Sequence, residues 1–461
     1  MQKLHILLFF VILCWLSCKP TSESFNLKDN NNLKTVLPEW AKSSVIYEVN
    51  IRQYTPEGTI NAFSNHIPRL KEMGVDILWI MPIFPISESK RKGSLGSYYA
   101  VSDFKAVNPL FGTKEDMINL IDKVHAYGMK IILDWVPNHT GWDHHWIKTN
   151  PEFYQKDSSG HIIDPINDEG VSHGWSDVAA LDYKNPSMRK AMIDDLIYWV
   201  KNHNIDGYRM DIAFGPPHDF WKQFSDTIRN VKPDIFLLAE AEDPTLNNEG
   251  WFNTSYGWSF HHLMNAIAKG EKNVNDLRSW RQHELKKFKQ GTLMHFTSNH
   301  DENSWNGTER ERMGYGHRTF AVLCHFFDGI PLIYSGQEEP LERRLAFFEK
   351  DDIAFKKYEY AEFYTRLNQI KKENEALYND VYGGEIIDMT NSQDIYAFKR
   401  EKNGNKVVVF LNLTSQDRSF IINDDTGDLR NVFSFGRMNY KVGDQITLRG
   451  WEFMIGVKDK S

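Results

Sequence analysis

GYRMD, residues 207–211, is followed along the chain by LLAE ending at Glu240 and FTSNHD ending at Asp301. From Asp211 to Glu240 is 29 residues, and from Glu240 to Asp301 is 61. One βα unit of a parallel barrel takes about 30 residues, so the spacings read as one unit and then two. Each acid closes a short apolar or aromatic run that reads as a strand: Gly207–Asp211, Ile235–Ala239 and Leu293–Thr297. Barrel active sites collect at the C-terminal ends of strands. Three carboxylates delivered there converge on one substrate, and paired carboxylates are the usual machinery for breaking a glycosidic bond.

Working outward, further strand signals fall at Val45–Asn50, Ile77–Met81, Ile131–Val136, Tyr256–Phe260 and Pro331–Tyr334. With the first three they make eight. Helical stretches such as Lys114–Tyr127 and Met188–Asn202 lie between them. Alternating strands and helices imply a parallel α/β sheet, and eight strands predict a closed (β/α)8 barrel over residues 43–378. One interval breaks the rhythm. Asp134 to Asp211 is 77 residues, and the excess, about 138–182, reads as a lobe inserted after the third strand. Past residue 378 the texture changes to short β-type runs, Ile395–Lys399, Lys406–Asn412 and Trp451–Ile455. These predict an antiparallel β-sandwich over 379–461.

The composition is that of a globular protein. A net charge of −8 argues against nucleic acid as a partner. The 14 Trp, 19 Tyr and 29 Phe supply both core and aromatic faces on which sugar rings can stack. Lys3 followed by the apolar run Leu4–Leu16 reads as a signal-peptide core, too short to span a bilayer. The run ends at Cys18 and gives way to polar residues, so 1–18 resembles a bacterial lipoprotein signal, with 19–42 as a tether. Trp15 departs from the Leu usual at its position in such signals. The implied location is the cell envelope, with a lipid anchor on Cys18 facing the periplasm or exterior; plain secretion is the alternative. Cys324 is the one cysteine in the body of the chain, so the processed protein has no internal disulfide.

The chain resembles the α-amylase family, glycoside hydrolase family 13, from about Ser43 onward. Four motifs of that family occur in order: Asp134–Thr140 (DWVPNHT), Gly207–Asp211 (GYRMD), Leu238–Glu240 (LAE) and Ser298–Asp301 (SNHD). The resemblance implies Asp211 as nucleophile, Glu240 as general acid/base and Asp301 as the third acid. It implies substrate binding by Tyr99, His139, Arg209 and His300, with Tyr98 as a rival to Tyr99. Arg209 lies two residues before Asp211, on the same strand face, where a guanidinium keeps the nucleophile ionised. Asp134 is expected to support the end of the third strand. Trp142, Trp251, Trp258 and Trp305 fall near strand ends and are candidates for sugar subsites. His144, His145, His161 and His173 fit no tetrahedral metal template and read as solvated loop.

No cofactor is required by this chemistry. The family often carries calcium between the inserted lobe and the barrel, and Asn138 matches one usual ligand. Ala180 stands where the family usually has an Asp, and Gly215 where a His carbonyl usually contributes, so the usual calcium site reads as absent or rebuilt from other residues. The implied activity is retaining hydrolysis of α-1,4-linked glucans or maltooligosaccharides. A transglycosylase, isomerase or phosphorylase of the same family is the alternative. A glycan-binding protein without catalysis is the alternative of another class, and the intact acids weigh against it.

Overall fold

The computed structural model describes residues 37–167 and 169–459; the leader, Cys18 and most of the polar stretch after it lie outside the described residues. Eight parallel strands close into a barrel. They are β1 (Ile46–Val49), β2 (Ile77–Ile80), β3 (Lys130–Trp135), β4 (Gly207–Met210), β5 (Phe236–Ala239), β6 (Thr254–Tyr256), β7 (Thr292–His295) and β8 (Ile330–Tyr334). Each pairs with its neighbours in sequence, and β1 pairs with β8.

Strand side chains alternate faces, and here the alternation sorts two cores. Ile46, Ile77, Trp79, Ile132, Phe236, Leu238, Tyr256, Met294 and Leu332 fill the barrel interior. Tyr47, Leu78, Ile131, Tyr208 and Leu237 face outward, into the layer between strands and helices. Extending the inward phase to the C-terminal rim places Glu48, Asp134, Arg209, Asp211 and Glu240 on the inner face. The strands therefore carry apolar residues at the bottom and polar ones at the top. Leu37 and Ala41, within the stretch expected to be tether, are buried in the interior cluster.

The helices follow their local signals. Lys114–Ala126 starts at a capping box in which the Thr113 side chain accepts from the Asp116 N–H and Asp116 reaches back to the Thr113 N–H. Pro186–His203 starts with Asn185 as cap and Pro186 in its first turn. The sixth strand differs from expectation: Thr254–Tyr256 is the strand, and Trp258–Ala268 is already helix.

The inserted lobe is closed at its base by His139–Gly141 pairing antiparallel with Val178–Ala180. The C-terminal unit is a sandwich of a six-stranded and a two-stranded antiparallel sheet. Its central hairpin joins Ile395–Lys402 to Asn405–Asn412 through Asn403 and Gly404, both at positive φ, as a tight hairpin turn requires. Phe410 meets Phe420 edge-on at 5.3 Å between the two sheets.

Candidate active site

Arg209 sits at the centre of the rim, fully buried. Its Nη1 lies 2.9 Å from Asp134 Oδ1 and 2.9 Å from Asp211 Oδ1, and its Nη2 lies 2.7 Å from Glu240 Oε1. Its Nε donates to the Tyr256 hydroxyl at 3.2 Å. A planar fork of donors can hold several carboxylates at once, as a single ammonium cannot. Arg209 thus stands behind the acids and is not among the residues that line the cleft. Asp134 is the deeper anchor. Its Oδ2 accepts from Trp79 Nε1 and from the Tyr99 hydroxyl, both at 3.1 Å.

Asp211 has one oxygen fixed by Arg209, while its Oδ2 is buried without a hydrogen-bond partner. Glu240 is held from two sides, by Arg209 and by the Ile212 N–H, which donates to Oε2 at 2.8 Å. Ile212 adopts φ 45°, a left-handed conformation that is strained for a β-branched residue. That strain aims its N–H at Glu240 and ties the two acids together through the backbone.

Burial pushes the Asp211 carboxyl well above the usual carboxylate range; Arg209 pulls it back, and Glu240 and Asp134 push it further up. Burial likewise lifts Asp134 to about 6, against the pull of Arg209 and His300. The expectation that Arg209 simply keeps Asp211 ionised is therefore half of the physics. One guanidinium serves three carboxylates, so the cluster keeps a proton to higher pH than an isolated carboxyl would. That titration belongs to the group as a whole.

His300 is buried, with Nδ1 2.5 Å from Glu48 Oε1 and Nε2 3.3 Å from Asp301 Oδ2 and 2.7 Å from the Tyr99 hydroxyl. Burial disfavours its charge, but Asp301 and Glu48 outweigh it and hold the imidazole at about 9. His139 is the opposite case: burial pushes it down to about 3, so it is neutral.

A cleft of about 680 Å³ opens above this cluster. Tyr99, His139, Asp211, Glu240, His300 and Asp301 all line it. Of the four tryptophans, Trp258 and Trp305 line it as well. Trp142 packs under Lys90 with its Nε1 donating to the Ser176 carbonyl, and Trp251 packs against the core. Tyr98 is buried beneath Arg52 and is not at the cleft. His144 is buried and its ring accepts from the Trp146 N–H, contrary to the solvated-loop expectation; His145, His161 and His173 are exposed. Sequence reasoning missed Glu48, Ile212, Trp175, Phe214 and Phe347. Glu48 had a signal, a lone charge inside the apolar run Val45–Val49; the others had none.

The calcium position has a short donor set. Ala180 offers no side-chain oxygen. Gly215 packs so closely that a Cβ there would fall 2.3 Å from Asn138 Oδ1. Among the described residues no group of three or more His, Cys, Asp or Glu side chains is arranged to hold a metal.

The family of the alpha-amylase catalytic domain matches residues 22–163 and 171–380. Alpha-amylase 2 of Dictyoglomus thermophilum is 26% identical over 443 residues, which cover 86% of this chain and 73% of that one. Cyclomaltodextrinase of Thermoanaerobacter pseudethanolicus is 24% identical over 450 residues, 85% and 73% of the two chains. The crystal structure of a maltogenic alpha-amylase from Thermotoga neapolitana superposes with a TM-score of 0.81 at 24% identity, covering 91% of this chain and 99% of that one, and this likeness speaks to the fold. A closed eight-stranded barrel with acids at the ends of β4 and β5 and beyond β7, matched across most of its length, places the chain in the alpha-amylase family.

Proposed function

We propose that the protein hydrolyses α-1,4-linked glucans or maltooligosaccharides with retention of configuration. The observation that carries this reading is the Arg209 fork, which holds one oxygen of Asp211 and one of Glu240 and leaves Asp211 Oδ2 without a partner. A shared guanidinium keeps the two carboxyls close, and retaining enzymes need them about 5–5.5 Å apart. Asp211 Oδ2 attacks the anomeric carbon as the bond to the leaving oxygen breaks, and Glu240 gives that oxygen its proton. Water then loses a proton to Glu240, attacks the same carbon and frees Asp211. Asp301 and His300 bind the ring's hydroxyls, Tyr99 stacks beneath it, and neutral His139 offers one further hydrogen bond.

Two measurements test this together. Proton NMR of the first-formed product, taken before mutarotation, is expected to show the α-anomer; a β-anomer removes Asp211 from the nucleophile's role. Asp211→Asn is expected to lower kcat by several orders of magnitude with binding largely kept, and Glu240→Gln to spare substrates with good leaving groups. The same reading extends to location. Cleavage before Cys18 and acylation of its thiol would anchor the protein, since two or more chains hold firmly where one does not. Cys18→Ala should move the protein from the membrane fraction to the soluble fraction; unchanged fractionation rejects the anchor. The proposed enzyme needs no calcium at the family's usual position.

A further inference from the structure

The segment 87–97, between β2 and Tyr99, is tied to a neighbour on each side. Towards the inserted lobe, Lys92 Nζ lies 3.0 Å from Asp177 Oδ1 and donates to the Gly174 carbonyl at 2.9 Å. The Asp177 carboxylate is buried, so this is more than a loose surface pair. Towards the segment after β8, the Leu95 N–H donates to the Phe348 carbonyl at 3.1 Å and the Ser94 N–H to Glu349 Oε1 at 2.9 Å. Arg52, just after β1, donates to the Gly96 carbonyl at 3.1 Å and the Phe347 carbonyl at 3.4 Å, fastening both segments from below. Lobe, segment 87–97 and the β8 segment thus form one hydrogen-bonded wall over β1 and β2. Phe347 from this wall lies parallel to Tyr99 with centroids 6.3 Å apart, and Trp305 leans on Phe347 at 5.3 Å.

The strand order gives the wall a direction. In a closed ring of eight, β1 stands opposite β5. Glu240 ends β5 and protonates the leaving oxygen, so the departing part of the glycan lies on the β5 side. The chain towards the non-reducing end then points at β1, into the wall. We propose that this wall closes the cleft on the non-reducing side, so that the enzyme takes chain ends and releases short products of fixed length. An enzyme that cuts within a polymer needs a cleft open on both sides of the bond. This inference rests on the hydrolase reading, with Glu240 as the acid.

Amylose digestion followed by iodine colour and by reducing ends tests it. The expected result is rising reducing ends with the iodine colour largely kept. With maltoheptaose labelled at its reducing end, the label should stay on the longer remainder while a short unlabelled sugar appears. Rapid colour loss with products of mixed length overturns the proposal and leaves the hydrolase reading standing. Release of no sugar from any α-glucan overturns both. Lys92→Ala and Glu349→Ala each cut one tether of the wall and should raise colour loss per bond cut several-fold. The second variant strands no buried charge, so it guards against a lobe that merely unfolds in the first. If both variants still act only at chain ends, the block is not this wall.

Discussion

Glu48 and His300 form the pair on which the pH behaviour of this site turns. Glu48 is fully buried on β1 and meets His300 across 252 positions of sequence. An unfolded imidazole titrates near 6.5, whereas in the folded protein His300 titrates at about 9. Between those values the folded state binds a proton that the unfolded chain does not. Its contribution to stability is therefore complete below about 6.5 and is lost as pH rises through about 9. Glu48→Gln keeps the shape and removes one of the two anions, so the raised value falls towards 6.5. Two readouts are expected to move together in that variant. The alkaline limb of kcat/KM shifts to lower pH, and the fall of stability between neutral pH and pH 9 becomes shallower. An alkaline limb identical to that of the wild-type protein would detach His300 from the activity.

Strand β4 shows how much a single element was legible. Its period-two phase put Arg209 and Asp211 on one face from sequence alone, and the barrel confirms the phase because Tyr208 packs outward. Strand β6 was not legible in the same way. Thr254 and Ser255 are buried hydroxyl residues that bond to the Thr292 carbonyl and to Asn247 Oδ1, so the strand carries no apolar signal. Meanwhile Tyr256, Trp258 and Phe260 alternate as a strand would, although the last two open a helix whose buried residues are Phe260, His261, Met264 and Ile267. Glu48 and Phe347 reach the site from distant segments, and spacing between motifs carries no information about such contacts. The close fit of β4 against β5 yields a test. A Cβ at Gly207 would fall 1.9 Å from the Phe236 carbonyl oxygen. Gly207→Ala must push the two strands apart, and overpacking of this kind costs about 1–3 kcal/mol. Because the strands carry Asp211 and Glu240, a lower melting temperature and a lower kcat are expected together. A variant with both unchanged would mean that the two strands do not approach so closely.

The whole molecule must hold its inserted lobe over the barrel, and the family's usual device for that is a calcium ion between them. Protein contacts also join the two. The lobe's base is a strand pair, the Tyr183 hydroxyl donates to the Pro137 carbonyl at 2.7 Å, and Lys92 bridges to Asp177. Trp146 and Phe153, in edge-on contact at 5.5 Å, extend the main core into the lobe. At the place expected for the ion, Ala180 supplies no side-chain oxygen, and a Cβ on Gly215 would fall 2.3 Å from Asn138 Oδ1, whereas calcium takes six to eight oxygen ligands. A bound ion at a hundredfold excess over its Kd would stabilise the fold by about 2.7 kcal/mol, and removing it would show. Excess chelator is therefore expected to leave activity and Tm nearly unchanged, and added calcium to restore nothing. The contacts between lobe and barrel should instead respond to mutation. Asp177→Ala removes the carboxylate that Lys92 meets, and it is expected to lower Tm equally with and without chelator. A fall in Tm of several degrees on chelation of the wild-type protein, reversed by calcium and not by magnesium, would show that a metal site has been rebuilt from other residues.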